Sequence, residues 1–240
     1  MKTVVFTSDN HNWLLRGFLH QYKKYVDEIN APELKIEVAG FTKPDFLPDD
    51  VSFFSIGKMQ DYPVNKWSDG IIAYLKQLND PLVLILLEDY WLIRKANIEA
   101  IYDAARVMQI DQNVFRFDLS TDRLFSKDTQ YYASYNNIDI CAGKGAYALS
   151  FQAGIFRTDL LLEFLEPGET PWQSELEGTW RVDKSRYTVF GSYQWPLNYA
   201  IVVNKGKFDR TGSWMYPART LSELDWQELD KLGYTEKEQG

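Results

Sequence analysis

Pro81-Leu-Val-Leu-Ile-Leu-Leu-Glu88-Asp89-Tyr90-Trp91-Leu92 is an almost wholly apolar run that stops abruptly at two adjacent carboxylates. Continuous apolar runs belong to strands covered on both faces, whereas half-exposed strands alternate. The stretch therefore reads as a buried parallel strand. In open α/β sheets ligands bind just beyond the carboxyl ends of such strands, and Glu88 and Asp89 stand at that place.

The flanking sequence has the alternation that such a strand requires. Upstream, Trp67, Ile71, Tyr74, Leu75 and Leu78 form one stripe of a helix that Asn79-Asp80-Pro81 ends. Thr3 to Phe6 is a short strand halting at Ser8-Asp9-Asn10. After it Leu15, Phe18, Leu19, Tyr22, Tyr25 and Val26 recur at helical spacing, and Lys35 to Ala39 alternates like a second strand. Pro44 to Asp50 is a loop and Val51 to Ile56 a further strand. Downstream, Ile98, Ile101, Ala105 and Met108 mark a helix, followed by a strand over Asn113 to Leu119. Strands alternating with helices predict a mostly parallel central sheet flanked by helices.

The second half changes character. Tyr131 to Phe151 is rich in Tyr, Ala, Gly and Ile, which predicts antiparallel strands, and Thr158 to Leu165 is a short helix closed by Pro167-Gly168. Pro171 to Glu177 reads as an acidic loop. Thr220 and Glu223 fit a capping box for a last amphipathic helix bearing Leu224, Leu229 and Leu232, and Thr235 to Gly240 reads as a frayed tail. No repeat or linker divides the chain. We expect one domain over residues 1–240, with halves at 1–120 and 121–210 and a helical extension at 211–240.

Composition excludes several classes. A hydrophobic fraction of 45% with 25% charged residues is ordinary for a globular chain, but 8 Trp and 15 Tyr are many, which suits sugar or nucleobase stacking as well as core packing. A net charge of −8 opposes general nucleic-acid binding. The single cysteine, Cys141, excludes an internal disulfide and reads as a small packed residue in a reducing compartment. The apolar run is far short of the about 20 residues of a membrane span, and Met1 to Asn10 lacks the pattern of a signal peptide. These features predict a cytoplasmic protein with no transmembrane segment.

A strand-end carboxylate pair can bind a divalent cation, Mn²⁺ or Mg²⁺, that bridges a substrate diphosphate; the alternative is a solvated pair at a helix start. Ser8 and Asp9 stand where a nucleotide would meet the same sheet edge, and also where a helix cap would. Trp67, Ser68 and Asp69 open a helix, as packing and capping residues or as part of a site. Glu175, with Glu177 as its rival, is either a general base toward an acceptor hydroxyl or part of a solvated loop. His11 and His20 are the only histidines, so Ser-His-Asp catalysis and multi-histidine metal sites find little support. There is no Walker-type loop, and Gly143-Lys144-Gly145 is only a fragment of one.

Taken together and in order, these segments resemble the short GT-A-type glycosyltransferases of bacterial surface-polysaccharide clusters and phages. The resemblance rests on Asp9 before an aromatic-rich helix, Trp67-Ser68-Asp69, Leu87-Glu88-Asp89-Tyr90-Trp91-Leu92 and Ser150-Phe151-Gln152-Ala153-Gly154-Ile155-Phe156. It continues through Pro167-Gly168-Glu169-Thr170-Pro171-Trp172-Gln173-Ser174-Glu175 and Leu197-Asn198-Tyr199 with Gly206-Lys207-Phe208, from about residue 3 to residue 210. It implies a GT-A-like, Rossmann-like sheet and a nucleotide-sugar donor such as a UDP-sugar. Residues matching Ser8, Asp9, Trp67 and Asp69 would hold the donor, and Glu88 and Asp89 would occupy the place of the Asp-x-Asp metal motif. Glu175 would be the catalytic base of an inverting transfer, and Gln152 and Trp172 would line a saccharide acceptor.

The chain departs from that pattern in two ways. Its acids are adjacent rather than two apart, so on an extended strand they would point to opposite faces. No histidine follows residue 20 to complete a metal site, which makes Lys144 and Arg157 candidates for the missing positive charge. Two alternatives stand beside the transferase: a binding module without turnover, and a nucleotidyltransferase, whose Gly-rich loop is missing after Phe6.

Overall fold

The computed structural model describes residues 1–120, 123, 126, 128–204, 206–210 and 219–234; the tail expected at 235–240 lies outside them. β1 (Lys2–Phe6), α1 (Leu15–Tyr25), β2 (Ile36–Gly40), β3 (Ser52–Ser55), α2 (Trp67–Leu75), β4 (Leu82–Leu87), β5 (Tyr90–Leu92), α3 (Ile98–Ile110) and β6 (Val114–Asp118) follow the expected alternation. The hairpin β7 (Gln130–Tyr135) and β8 (Ile138–Gly143) comes next, then β9 (Gly154–Arg157), α4 (Thr158–Phe164), α5 (Pro171–Lys184), β10 (Thr188–Ser192), β11 (Tyr199–Ile201), β12 (Val203–Asn204), β13 (Lys207–Phe208) and α6 (Glu223–Asp230).

Nine strands form one sheet in the order β3-β2-β1-β4-β9-β6-β10-β8-β7, in which β8 and β9 run against the rest. β4 lies parallel to β1, with Phe6 opposite Leu87, and antiparallel to β9. Its side chains explain the unbroken apolar run. Leu82, Leu84 and Leu86 enter a core with Leu15, Phe18, Ala104 and Met108 of α1 and α3, while Val83 and Ile85 enter a second core with Ile71, Leu75, Leu161 and Phe164 of α2 and α4. Burying each such side chain stabilises the fold by about 1.5–3 kcal/mol, so both faces of β4 select apolar residues.

Two sequence expectations are corrected. Pro171 to Glu177 is no loop but the start of α5: the Thr170 side chain accepts from Gln173 N, the Gln173 side chain accepts from Thr170 N, and Pro171 occupies a first-turn position that needs no N–H. The last helix is capped by Ser222 and Asp225 rather than Thr220 and Glu223, because Ser222 Oγ meets Asp225 N at 3.1 Å. α6 then docks on α1 through Asp225, which accepts from Lys24 Nζ at 2.9 Å and Tyr25 OH at 2.8 Å. Among the described residues no helix is long and apolar enough to cross a membrane.

Candidate functional site

β4 delivers Glu88 and Asp89 into a two-residue turn before β5. Because they occupy a turn, the strand alternation that would point them to opposite faces does not apply. Both main-chain carbonyls of the turn are held: Trp91 Nε1 donates to Glu88 O at 3.0 Å, and Val202 N donates to Asp89 O at 3.0 Å. Glu88 is only 8% exposed. Burial, and next the charge of Glu88, push the Asp89 carboxyl up to about 8, with His11 opposing the shift weakly.

The parallel register of β1 and β4 sets the segment after Phe6 beside this turn. There His11 Nδ1 lies 3.3 Å from Glu88 Oε1 and 3.3 Å from Ser8 Oγ. The hydrogen bond to Glu88 raises the His11 pKa against the effect of burial. Sequence reasoning passed over His11 because it looked for sets of histidines; the available signal was its place five residues beyond Phe6, in the strand-end segment of Ser8.

The remaining donor-side candidates border the same sheet edge but are engaged with loops. Asp9 caps no helix: its Oδ1 accepts from Thr42 N at 2.9 Å and its Oδ2 from Thr42 Oγ1 at 2.8 Å, tying the ends of β1 and β2 together. Asp69 Oδ2 accepts from Gly168 N at 2.7 Å, and Ser68 Oγ accepts from Glu169 N at 3.0 Å while donating to Glu166 O at 2.7 Å. The start of α2 thereby pins the loop that leads into α5. Trp67 meets Phe151 edge to face at 4.7 Å.

Phe151 links these residues to the acceptor-side candidates. Its N–H donates to Glu175 Oε1 at 2.7 Å, so the helical flank of α5 presents that carboxylate to the chain segment bearing Gln152. Gln152 O accepts from the buried Arg116 Nη2 at 3.2 Å, and its side-chain oxygen accepts from Tyr199 OH. Tyr199 stacks on Tyr90 at 4.7 Å, directly after Asp89. A continuous series of contacts therefore runs from Glu175 through Phe151, Gln152, Tyr199 and Tyr90 to the acid turn. Trp172 differs, standing 68% exposed on the outer face of α5.

Lys144 and Arg157 do not reach this edge. Lys144 Nζ donates to Ser185 O at 2.5 Å at the C-terminus of α5, and Arg157 pairs with Leu82 at the start of β4, where its guanidinium donates to Val114 O at 3.3 Å and Gln112 Oε1 at 2.8 Å. Among the described residues no three His, Cys, Asp or Glu side chains converge to hold an ion. Two carboxylates nevertheless suit a hard cation that completes its shell with water and diphosphate oxygens, and such an ion would counter the burial and the Glu88 charge that raise Asp89.

No protein-family model matches the chain, and no curated protein matches it. Solved structures do. S. aureus TarS 1–349 in complex with UDP is similar over 97% of this chain and 64% of that one, with a TM-score of 0.52 and 15% identity. Another crystal structure of TarS 1–349 covers 80% of this chain and 58% of that one at a TM-score of 0.49 and 17% identity. A cytidylyltransferase from Leptospira borgpetersenii serovar Hardjo-bovis covers 97% and 94% at 0.46 and 12%. The chain thus spans less than two thirds of either TarS 1–349 chain. At 15% identity the first likeness is one of fold, and that fold is the GT-A-like α/β sheet flanked by helices.

Proposed function

We propose that this protein is a glycosyltransferase that moves a sugar from a nucleoside-diphosphate donor, a UDP-sugar, to an acceptor hydroxyl with inversion. One observation carries the reading: a carboxylate pair at the carboxyl end of β4, with Glu88 buried and Asp89 partly exposed, is linked by contacts to a third, helix-borne carboxylate, Glu175. Glu88 and Asp89 would hold Mn²⁺ or Mg²⁺ against the donor diphosphate, and that ion would supply charge neutralisation. Ser8 and Trp67 would border the donor directly; Asp9 and Asp69 would shape its pocket by holding the Thr42 and Gly168 loops.

In the transfer step the acceptor oxygen attacks the anomeric carbon as the bond to the diphosphate oxygen breaks. Glu175 takes the hydroxyl proton, and the nucleoside diphosphate leaves with the bonding electron pair. Gln152, fixed by Arg116 and Tyr199, and the exposed Trp172 would receive a saccharide acceptor. The single buried Cys141 fits action in a cytoplasmic, reducing compartment.

The test is a thermal-shift screen against nucleoside diphosphates and their sugars, with and without Mn²⁺, followed by turnover of the stabilising donor. Glu175→Gln should keep the shift and lose transfer. Full transfer by that variant removes Glu175 from the role. Ligand binding without turnover in any form of the protein would identify a binding module, and pyrophosphate release from a nucleoside triphosphate would identify nucleotidyl transfer.

A further inference from the structure

We propose that the C-terminal segment, residues 219–234, is a positioning element of the donor site, locking the acid turn and the Ser8–Asn12 loop to one another through Trp91 and Tyr234. The naming of that site rests on the function proposed above; the lock itself rests on contacts alone. The segment adds no strand to the nine-stranded sheet, so its contacts call for another explanation.

Trp91 is fully buried, and its only ring donor is spent on Glu88 O at 3.0 Å. The carboxylates of the turn are therefore no better placed than this indole. Tyr234 meets it edge to face at 4.8 Å, Phe208 at 5.6 Å and Trp226 at 6.2 Å. On the remaining side α1 comes so close that a Cβ on Gly17 would lie 2.4 Å from the indole carbons. An indole so enclosed has one position.

The Tyr234 hydroxyl serves the other half of the site. It donates to Trp13 O and accepts from Gly17 N at 2.8 Å. Trp13 follows directly on the segment that carries Ser8, Asp9 and His11, and its ring meets Phe208 at 5.5 Å. One residue thus contacts the indole behind Glu88 with its ring and the main chain behind His11 with its hydroxyl. The segment is itself anchored at both ends: Asp225 binds Lys24 and Tyr25, while Arg210 Nη1 donates to Asp230 Oδ1 at 2.6 Å and Tyr234 O at 2.9 Å. Holding both sides of a diphosphate site from one point is a means of preorganisation, and misplacement by about 1 Å is enough to degrade such a site.

Tyr234→Phe keeps the ring and removes only the hydroxyl; Trp91→Phe removes the donor to Glu88 O. Amide hydrogen exchange read by mass spectrometry, together with calorimetric titration of UDP in Mn²⁺, tests both. Loss of the two hydroxyl bonds in Tyr234→Phe, and of the one indole bond in Trp91→Phe, should speed exchange about tenfold or more, in residues 8–17 and in residues 87–92 respectively, and weaken UDP about three- to tenfold. Exchange in β6 and β10 should be unchanged, which a general loss of stability would not permit. Should Trp91→Phe fail to fold, Tyr234→Phe decides alone. Unaltered exchange in 8–17 and 87–92, or UDP affinity equal to that of the parent protein, overturns the proposal. A parent protein that binds no nucleoside diphosphate overturns the donor reading, and the exchange result then separately decides the lock.

Discussion

Gly17→Ala puts a single methyl group into the α1–Trp91 contact. By helix propensity alone it should stabilise, because Ala in a helix interior is favoured over Gly by about 1 kcal/mol. The packing opposes this. The added carbon would stand 2.4 Å from Trp91 Cη2 and Cζ2, against the about 3.5–4.0 Å of ordinary carbon contact, so more than about 1 Å must be found. Trp91 cannot yield it cheaply, being fully buried and backed by Phe208, Trp226 and Tyr234. Overpacking costs about 1–3 kcal/mol, and a rigid ring with this deficit belongs at the upper end. Net destabilisation is then about 2 kcal/mol, equivalent for a chain of this size to a Tm lower by about 4–8 °C. Scanning calorimetry of the two proteins measures it. A Tm equal to or above that of the parent would mean that α1 does not approach the indole this closely, and the enclosure argued for Trp91 would fall with it.

Asp225 carries an acid-dependent share of stability. Ser222, Lys24 and Tyr25 hold its carboxyl at about 2 despite burial, below the ordinary value, so the share is present at neutral pH and is lost as pH falls from about 4 through 2. The gap corresponds to about 2 kcal/mol; urea midpoints should show a deficit of that size for Asp225→Asn at pH 7 that shrinks by pH 2.5, and an equal deficit at both would exclude the mechanism. Asp89 has the opposite sign: with its folded value raised to about 8, the ionised form destabilises the ligand-free protein increasingly from pH about 4 to pH about 8. Without divalent cations, Asp89→Asn should therefore melt above the parent at pH 8 and level with it near pH 4; coincident melting curves at both would contradict the burial argument. Cys141 is buried, which pushes its thiol up to about 11, so a disulfide reagent at pH 8 should label it only after denaturant is added.

What the sequence disclosed depended on whether the signal was local. β4 was legible because two cores claim alternate side chains of one strand, leaving no polar position from Leu82 to Leu87. α5 was not, because the side it buries carries Ser174, Gly178 and Val182 rather than large apolar residues. Gly178 must be small there, since a Cβ would meet Leu149 Cδ1 at 2.7 Å. The Thr170-x-x-Gln173 box with Pro171 was the readable sign of a helix start, and the acidic residues concealed it. The turn holding Glu88 and Asp89 was misjudged for another reason: β5 is a separate short strand that leaves the main sheet to pair with β11, a partner more than a hundred residues away. The links that assemble the site, Tyr199 to Gln152, Phe151 to Glu175 and Tyr234 to Gly17, are all long-range and leave no pattern in any window of sequence.

The acid turn separates the two readings that the sequence left open for it. A solvated pair at a helix start would be exposed, would gain from the helix dipole and would ionise readily. The acid turn departs from this: it follows a strand buried on both faces, Glu88 is buried, no helix begins at the pair, and burial with the charge of Glu88 raises the Asp89 carboxyl. Like charges enclosed in this way oppose the local consistency by which sequences fold, and such violations concentrate where a protein binds or reacts. His11 answers only part of the charge, through one nitrogen shared between Glu88 and Ser8. Trp91 Nε1 and Val202 N act on the main-chain carbonyls of the turn and so hold its backbone, while a backbone N–H bond to the Asp89 carboxyl and the charge of His11 only partly offset its burial. On the function proposed above, a cation at this turn would favour the ionised form of Asp89 that burial and the Glu88 charge oppose; Asp89→Asn should then make the ligand-free protein more stable at pH 8 and the site less able to bind.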